Sequence, residues 1–144
     1  PILHKFSSVT LKSATQDQWW IMALIKKFED IVAWQEARKL VASIYKLTNT
    51  GALAKDYGMR DQIQRAAVSA MTNIAEGFDC ESKVEFARFL GFARRSAVEV
   101  QSLLYAAFDV GYINEQAFKA EYQQAEKAKA LIGGLKHSLK PRDQ

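Results

Sequence analysis

The chain is poor in the residues that cross-link a protein or interrupt a helix. It holds one cysteine, Cys80, two prolines and seven glycines in 144 residues. One cysteine excludes an intramolecular disulfide and a cysteine-rich metal site. Scarce Pro and Gly leave few places where a helix must stop. No apolar run approaches the roughly 20 residues needed to cross a bilayer. Trp19 to Ile25 is apolar but too short, and Lys26 and Lys27 follow it, whereas a secretory leader carries positive charge before its apolar run. A soluble, cytoplasmic protein without a membrane partner is expected. Catalytic vocabulary is also thin. The two histidines, His4 and His137, fall in predicted tails. There is no Glu-x-x-His motif of the kind that builds di-iron sites in bundles, no glycine-rich phosphate loop and no Ser-His-Asp arrangement to propose. No catalytic residue, metal ligand or cofactor site is assigned.

What is present is apolar material and charge in even measure. Hydrophobic residues make up 49% of the chain, enough for the core of one ordinary domain. The net charge is +4, but it is unevenly placed. Phe28 to His137 contains fourteen Lys/Arg and fourteen Asp/Glu. The excess lies in residues 1–27, through Lys5, Lys12, Lys26 and Lys27 against Asp17, and in the last seven residues. Nucleic-acid binders concentrate positive charge on a folded surface, so the basic balance by itself says little about such a partner.

Hydrophobic periodicity predicts four helices and no strand. Residues 1–27 read as an extension. Up to residue 21 it is expected to be either a loosely ordered, partly disordered extension or, with Met22 as a natural start, non-native; mass spectrometry of natively expressed protein separates the two. The first helix is predicted over Ile31 to Leu47 with Asp30 as its cap. Its apolar stripe is Trp34, Ala37, Val41, Ile44 and Tyr45, with Glu36 on the other side. Thr48 to Gly51 ends it. The second helix runs from Tyr57 or Gly58 to Gly77. Ile63, Ala66, Ala67, Ala70, Met71, Ile74 and Phe78 give it a thin core face that lets a neighbour approach closely. The third runs from Lys83 to Val110, with Ser82 and Glu85 as a capping box. Phe86, Phe89, Leu90, Ala93, Ala97, Val100, Leu104 and Phe108 form its stripe, Phe92 and Leu103 lie at the edge of its polar face, and Gly111 stops it. The fourth follows Asn114 as cap and buries Phe118, Tyr122, Ala125, Ile132, Leu135 and Leu139, with Gly133 and Gly134 weakening its end. Short loops then imply an all-α, antiparallel up-down-up-down four-helix bundle over 28–139, with a tail at 140–144.

Four stretches in this order, KFEDIVAWQEARKLVASIYKLT, YGMRDQIQRAAVSAMTNIAEGF, SKVEFARFLGFARRSAVEVQSLL and DVGYI, carry a family resemblance. The chain resembles the four-helix-bundle proteins tied to intervening sequences in bacterial large-subunit ribosomal RNA genes, often labelled ribosomal proteins. The resemblance spans Lys27 to Leu135. It implies a left-handed bundle that assembles into a closed homo-oligomer, a pentameric ring, and brings no established activity. A related bundle is the accessory protein of diversity-generating retroelements, where it partners a reverse transcriptase and nucleic acid; its body is much more basic. Two departures stand out. Ala70-Met71 replaces the usual Ile-Pro, so a kink there should be absent or milder. Asp79-Cys80-Glu81 is acidic where relatives are basic or polar, which disfavours phosphate binding at that turn.

Two groups of residues are candidate partner or oligomer surfaces. Arg65, Ser69, Asn73 and Glu76 share one face of the second helix. The plainer reading is a solvated face or a subunit contact with Arg–carboxylate pairs. Arg88, Phe92 and Arg95 place cations beside a ring, a combination that grips unstacked bases or phosphates. Glu99 one turn on opposes a polyanion, and a subunit contact is the favoured reading of this group. Cys80 reads as a partly buried turn residue. Together these point to a non-enzymatic, homo-oligomeric binding or adaptor module whose external partner is RNA, DNA or a nucleic-acid enzyme. The alternative is a purely protein–protein scaffold.

Overall fold

The computed structural model describes residues 24–141. Four helices form where the apolar period demanded them: α1 (Val32–Thr48), α2 (Tyr57–Asp79), α3 (Lys83–Asp109) and α4 (Glu115–Ser138). Short 3-10 turns at Phe28–Asp30 and Leu53–Lys55 precede α1 and α2. Among the described residues there is no strand, and no helix is long and apolar enough to cross a membrane.

The helix ends follow their local chemistry. Asp56 caps α2 by accepting from the Met59 amide at 3.1 Å, and Asn114 caps α4 by accepting from Ala117 at 2.8 Å. The Asp56 carboxylate also accepts from the Tyr112 hydroxyl at 3.0 Å, joining the two loops at that end. This hydrogen bond, with some burial, pushes the Tyr112 phenol above its usual pKa. Gly111 adopts φ +81° and Tyr112 donates back to the Ala107 carbonyl, the left-handed stop expected after α3.

Two expected caps differ. Asp30 does not cap α1. It lies in the 3-10 turn, and Ile31, buried in the core, takes the cap position with no side-chain bond. Burial of Ile31 draws the chain inward one residue later than polarity alone suggests. Of the Ser82–Glu85 box only half forms. Ser82 accepts from the Glu85 amide at 3.4 Å, while the Glu85 carboxylate turns forward to Arg88 at 3.0 Å.

The pairing across seams shows how the helices run. Ser69 meets Ser96, and Gln62 meets Glu99. Gln101 meets Glu126, and Tyr105 meets Tyr122. Glu36 meets Gln124, and Ser43 meets Glu121. In each seam a rising number on one helix meets a falling number on the next, so consecutive helices are antiparallel and α1 closes the ring against α4. The result is a four-helix bundle. α2 is one unbroken helix through Ala70-Met71, and α4 continues through Gly133-Gly134 to Ser138, which places His137 in its last turn rather than in a tail.

The core has two ends and a narrow middle. One cluster gathers Leu40, Ile44, Leu53, Ile63, Val100, Leu104 and Ile113. The other gathers Ile31, Ile74, Phe86, Leu90 and Ile132, with Trp34 and Phe78 packed on it. Fully burying each large side chain contributes about 1.5–3 kcal/mol. Between them Ala70, Ala97 and Ala128 are wholly buried, so the helices approach closely there.

Rotation of the outer helices differs from the sequence reading. In α1 the inward line is Ala33, Ala37, Leu40, Ile44 and Thr48; Tyr45 is exposed. Thr48 is wholly buried, donating to the Ile44 carbonyl and accepting from Gln64 at 2.8 Å. Phe108 of α3 is 38% exposed, and Phe118 and Tyr122 of α4 are half-buried. Their rings are wide enough to lie across a seam without entering it. Leu103, expected at a polar edge, packs against the first core cluster.

Candidate functional site

The polar line on α2 divides in the fold. Arg65 and Glu76 remain exposed. Ser69 and Asn73 turn into the α2–α3 seam, where Ser69 Oγ lies 2.8 Å from Ser96 Oγ and Asn73 donates to the Ser69 carbonyl and hydroxyl. Small hydroxyls suit this place because α2 and α3 are close. Gly77 marks the closest approach: a Cβ there would stand 2.6 Å from Phe89 Cβ and 2.9 Å from Phe86 Cδ2.

The α3 group stays together. Phe92, 36% exposed, has the guanidinium groups of Arg88 and Arg95 beside it, each 5.4 Å from its ring centroid. The spacing of four and three residues along α3 brings both cations to this ring, and cation–ring attraction holds them there. Phe89 meets Phe92 edge-on. Arg88 is ion-paired to Glu85, and Glu99 accepts from Gln62 at 3.4 Å.

The sequence reading missed a ring cluster on the α3–α4 seam. Tyr105, 51% exposed, lies 4.8 Å from Phe118 and 5.7 Å from Tyr122; Phe108 lies 5.3 Å from Phe118. Three of the four rings were assigned to the core, and Tyr105 was assigned no role. The signal available was the three-residue step between Tyr105 and Phe108, which puts two rings on one flank of α3.

A second group missed lies between α1 and α4. Glu36 is only 5% exposed. Gln124 donates to its carboxylate and its backbone carbonyl, Lys39 donates at 2.9 Å, and Lys127 lies at 3.4 Å. Burial opposes its ionisation, but these donors outweigh burial and hold the carboxyl below its usual pKa. Glu121, one helical turn from Gln124, accepts from Ser43 at 2.6 Å. Burial dominates there and raises its pKa, the hydroxyl offsetting only part. Glu36 was assigned to the outer side because it is charged; its position between Ala33 and Leu40 at helical spacing was the contrary signal.

No group of three or more His, Cys, Asp or Glu among the described residues could hold a metal ion. Cys80 is half-buried, with its thiol directed at the Glu76 carbonyl at 3.4 Å. An open groove of about 300 Å³ runs between the start of α1 and the end of α4. Ile25, Ile31, Val32, Leu131 and Leu135 line it, so it offers apolar surface and no converging donors.

Comparison with known proteins fits the four-helix bundle. The model of the family described as 23S rRNA-intervening sequence protein matches residues 29–134. A solved structure from Bacteroides thetaiotaomicron is similar in fold; it is described as a protein of unknown function from the S23 ribosomal protein family. It superposes with a TM-score of 0.69 at 20% identity, covering 74% of this chain and 96% of its own. No curated protein matches the chain. With the bundle, the helix order and the family model in agreement over most of its length, the chain belongs to the 23S rRNA-intervening sequence protein family.

Proposed function

We propose that this protein is a non-enzymatic binding and adaptor bundle that works as an assembly of identical copies and takes RNA, DNA or a nucleic-acid enzyme as its external partner. The ring cluster of Tyr105, Phe108, Phe118 and Tyr122 carries the self-assembly reading. Adjacent exposed rings on one seam leave apolar surface in water, and aromatic residues are enriched at the centres of protein interfaces. The family resemblance favours a pentameric ring as the closed form.

Light scattering tests the assembly. The chain should run well above its 16.2 kDa monomer mass, and the double substitution Tyr105→Ser, Phe108→Ser should shift it towards the monomer. A wild-type monomer at micromolar concentration overturns the reading. A second reading, a scaffold that binds only protein, is favoured by the inward use of Ser69 and Asn73 and by the pairing of Arg88 with Glu85. An oligomer that retains no oligonucleotide at low salt would establish it.

A further inference from the structure

The α3–α4 seam carries an exchange of cations over glycines. Lys136 of α4 reaches across to Gly91 of α3: a Cβ at Gly91 would lie 3.2 Å from Lys136 Nζ and 3.8 Å from Arg95 Nη2. Arg94 of α3 reaches back over Gly133 of α4, its Nε 3.7 Å from where a Cβ would stand. Each glycine is the floor on which a neighbour's charge lies. Lys136 and Arg95 therefore approach the same backbone position, close enough for one phosphate to touch both.

The charges here are not balanced. Arg95 and Lys136 form no ion pair among the described residues. Arg94 feels Glu126, but that carboxylate is already held by Lys129 at 2.7 Å and by Gln101 at 2.7 Å. The body is neutral by count, yet folding gathers three of its cations on one seam. Phe92, 36% exposed, adjoins them through Arg95, so a partly exposed ring borders the positive strip.

We propose that this strip is a phosphodiester-binding site for single-stranded nucleic acid, in which Arg95 and Lys136 hold one backbone phosphate, Arg94 holds the next and Phe92 stacks a base. Cations that track a backbone beside a stacking ring are the general solution for single strands. The site deepens the nucleic-acid part of the proposed function. It lies beyond the ring cluster given to self-assembly, so the two can fail separately.

The test is binding of a fluorescein-labelled single-stranded RNA oligonucleotide across a salt series, with oligomer mass and thermal unfolding measured on the same samples. The wild type should bind more weakly as salt rises. The triple variant R94Q/R95Q/K136Q should bind more weakly and lower the slope of log affinity against log salt by about 1.4, since each of the two single-strand phosphate contacts contributes about 0.7. Phe92→Ala should weaken binding about tenfold with the slope unchanged, the loss of one stacked base. Lys55→Gln, at the opposite end of the bundle, should change neither. An unchanged slope in the triple variant with folding intact overturns the site, as does a wild type that binds no RNA. Equal retention of inorganic polyphosphate, unaffected by Phe92→Ala, overturns the nucleic-acid assignment in favour of a general polyanion site.

Discussion

The α2–α3 and α1–α4 seams are built on opposite principles. Between α2 and α3 the contact is steric. Gly77 lies against Phe86 and Phe89, the facing alanines Ala70 and Ala97 are wholly buried, and the polar atoms are small hydroxyls paired with each other. Between α1 and α4 the contact is polar. Glu36 and Glu121 are drawn into the seam, with Gln124, Ser43 and two lysines satisfying them. Close approach keeps the carboxylate of the first seam, Glu99, at its exposed rim, whereas the second seam takes Glu36 inside. The first seam should therefore respond to volume and ignore pH, and the second should do the reverse.

Gly77→Ala is the harshest way to break this contrast. The new methyl meets Phe89 Cβ, which no rotamer change can move. Overpacking of this kind costs about 3 kcal/mol, and chemical denaturation should show it as a lower midpoint without a changed slope. An unaffected midpoint would mean that α2 and α3 separate freely.

Glu36→Ala should cost about 2 kcal/mol, because Gln124 loses its carboxylate acceptor inside the seam and the ammonium groups of Lys39 and Lys127 lose their partner. The same measurement on Glu36→Gln separates charge from packing and should give a smaller loss.

Acid sharpens the comparison further. Glu36 has a depressed pKa in the folded state, so its contribution is present above its unfolded pKa and disappears as pH falls through the folded value. Glu121 has a raised pKa, so its contribution is present below the unfolded value and is lost as pH rises through the folded one. Denaturation midpoints measured against pH should accordingly show a weaker acid limb for Glu36→Gln than for wild type, and a gain in stability near neutrality for Glu121→Gln. Parallel curves for all three proteins would contradict the assignment of pH sensitivity to this seam.

The smallest effect belongs to Ser69→Ala, at about 1 kcal/mol or less, the net worth of a neutral hydrogen bond. Combined with Ser96→Ala in a double-mutant cycle it should show positive coupling, since Ser69→Ala alone leaves the Ser96 hydroxyl without its partner, whereas Ser69 keeps the Asn73 amide when Ser96 is removed.

The helices were legible because each repeats one simple condition many times. Ile63 to Ile74 and Phe86 to Leu104 return to the same face every three or four residues, so single ambiguities average out. The terminal signals at Asn114 and Gly111 were local and read correctly. The site was less legible. Phe92 with Arg88 and Arg95 depends on spacing within α3 alone and could be seen in advance. Glu36 with Gln124, Tyr112 with Asp56, and Lys136 over Gly91 each join residues distant in the chain. No pattern in one segment marks them, because their meaning depends on which helix comes to lie alongside.

The amino-acid order alone determined that four amphipathic helices form, where α3 and α4 begin, and that a bundle is their common way to leave water. It could do so because backbone hydrogen bonding and the 3.6-residue period are local conditions. Tertiary structure decided which flank of each helix faces its neighbour. That choice turned Phe108 and Phe118 into a half-exposed ring cluster, drew Glu36 inward, and gathered Arg94, Arg95 and Lys136 from a neutral body onto one seam. A rotation of a few tens of degrees costs a helix nothing in isolation, so the packing of its neighbours sets the outcome.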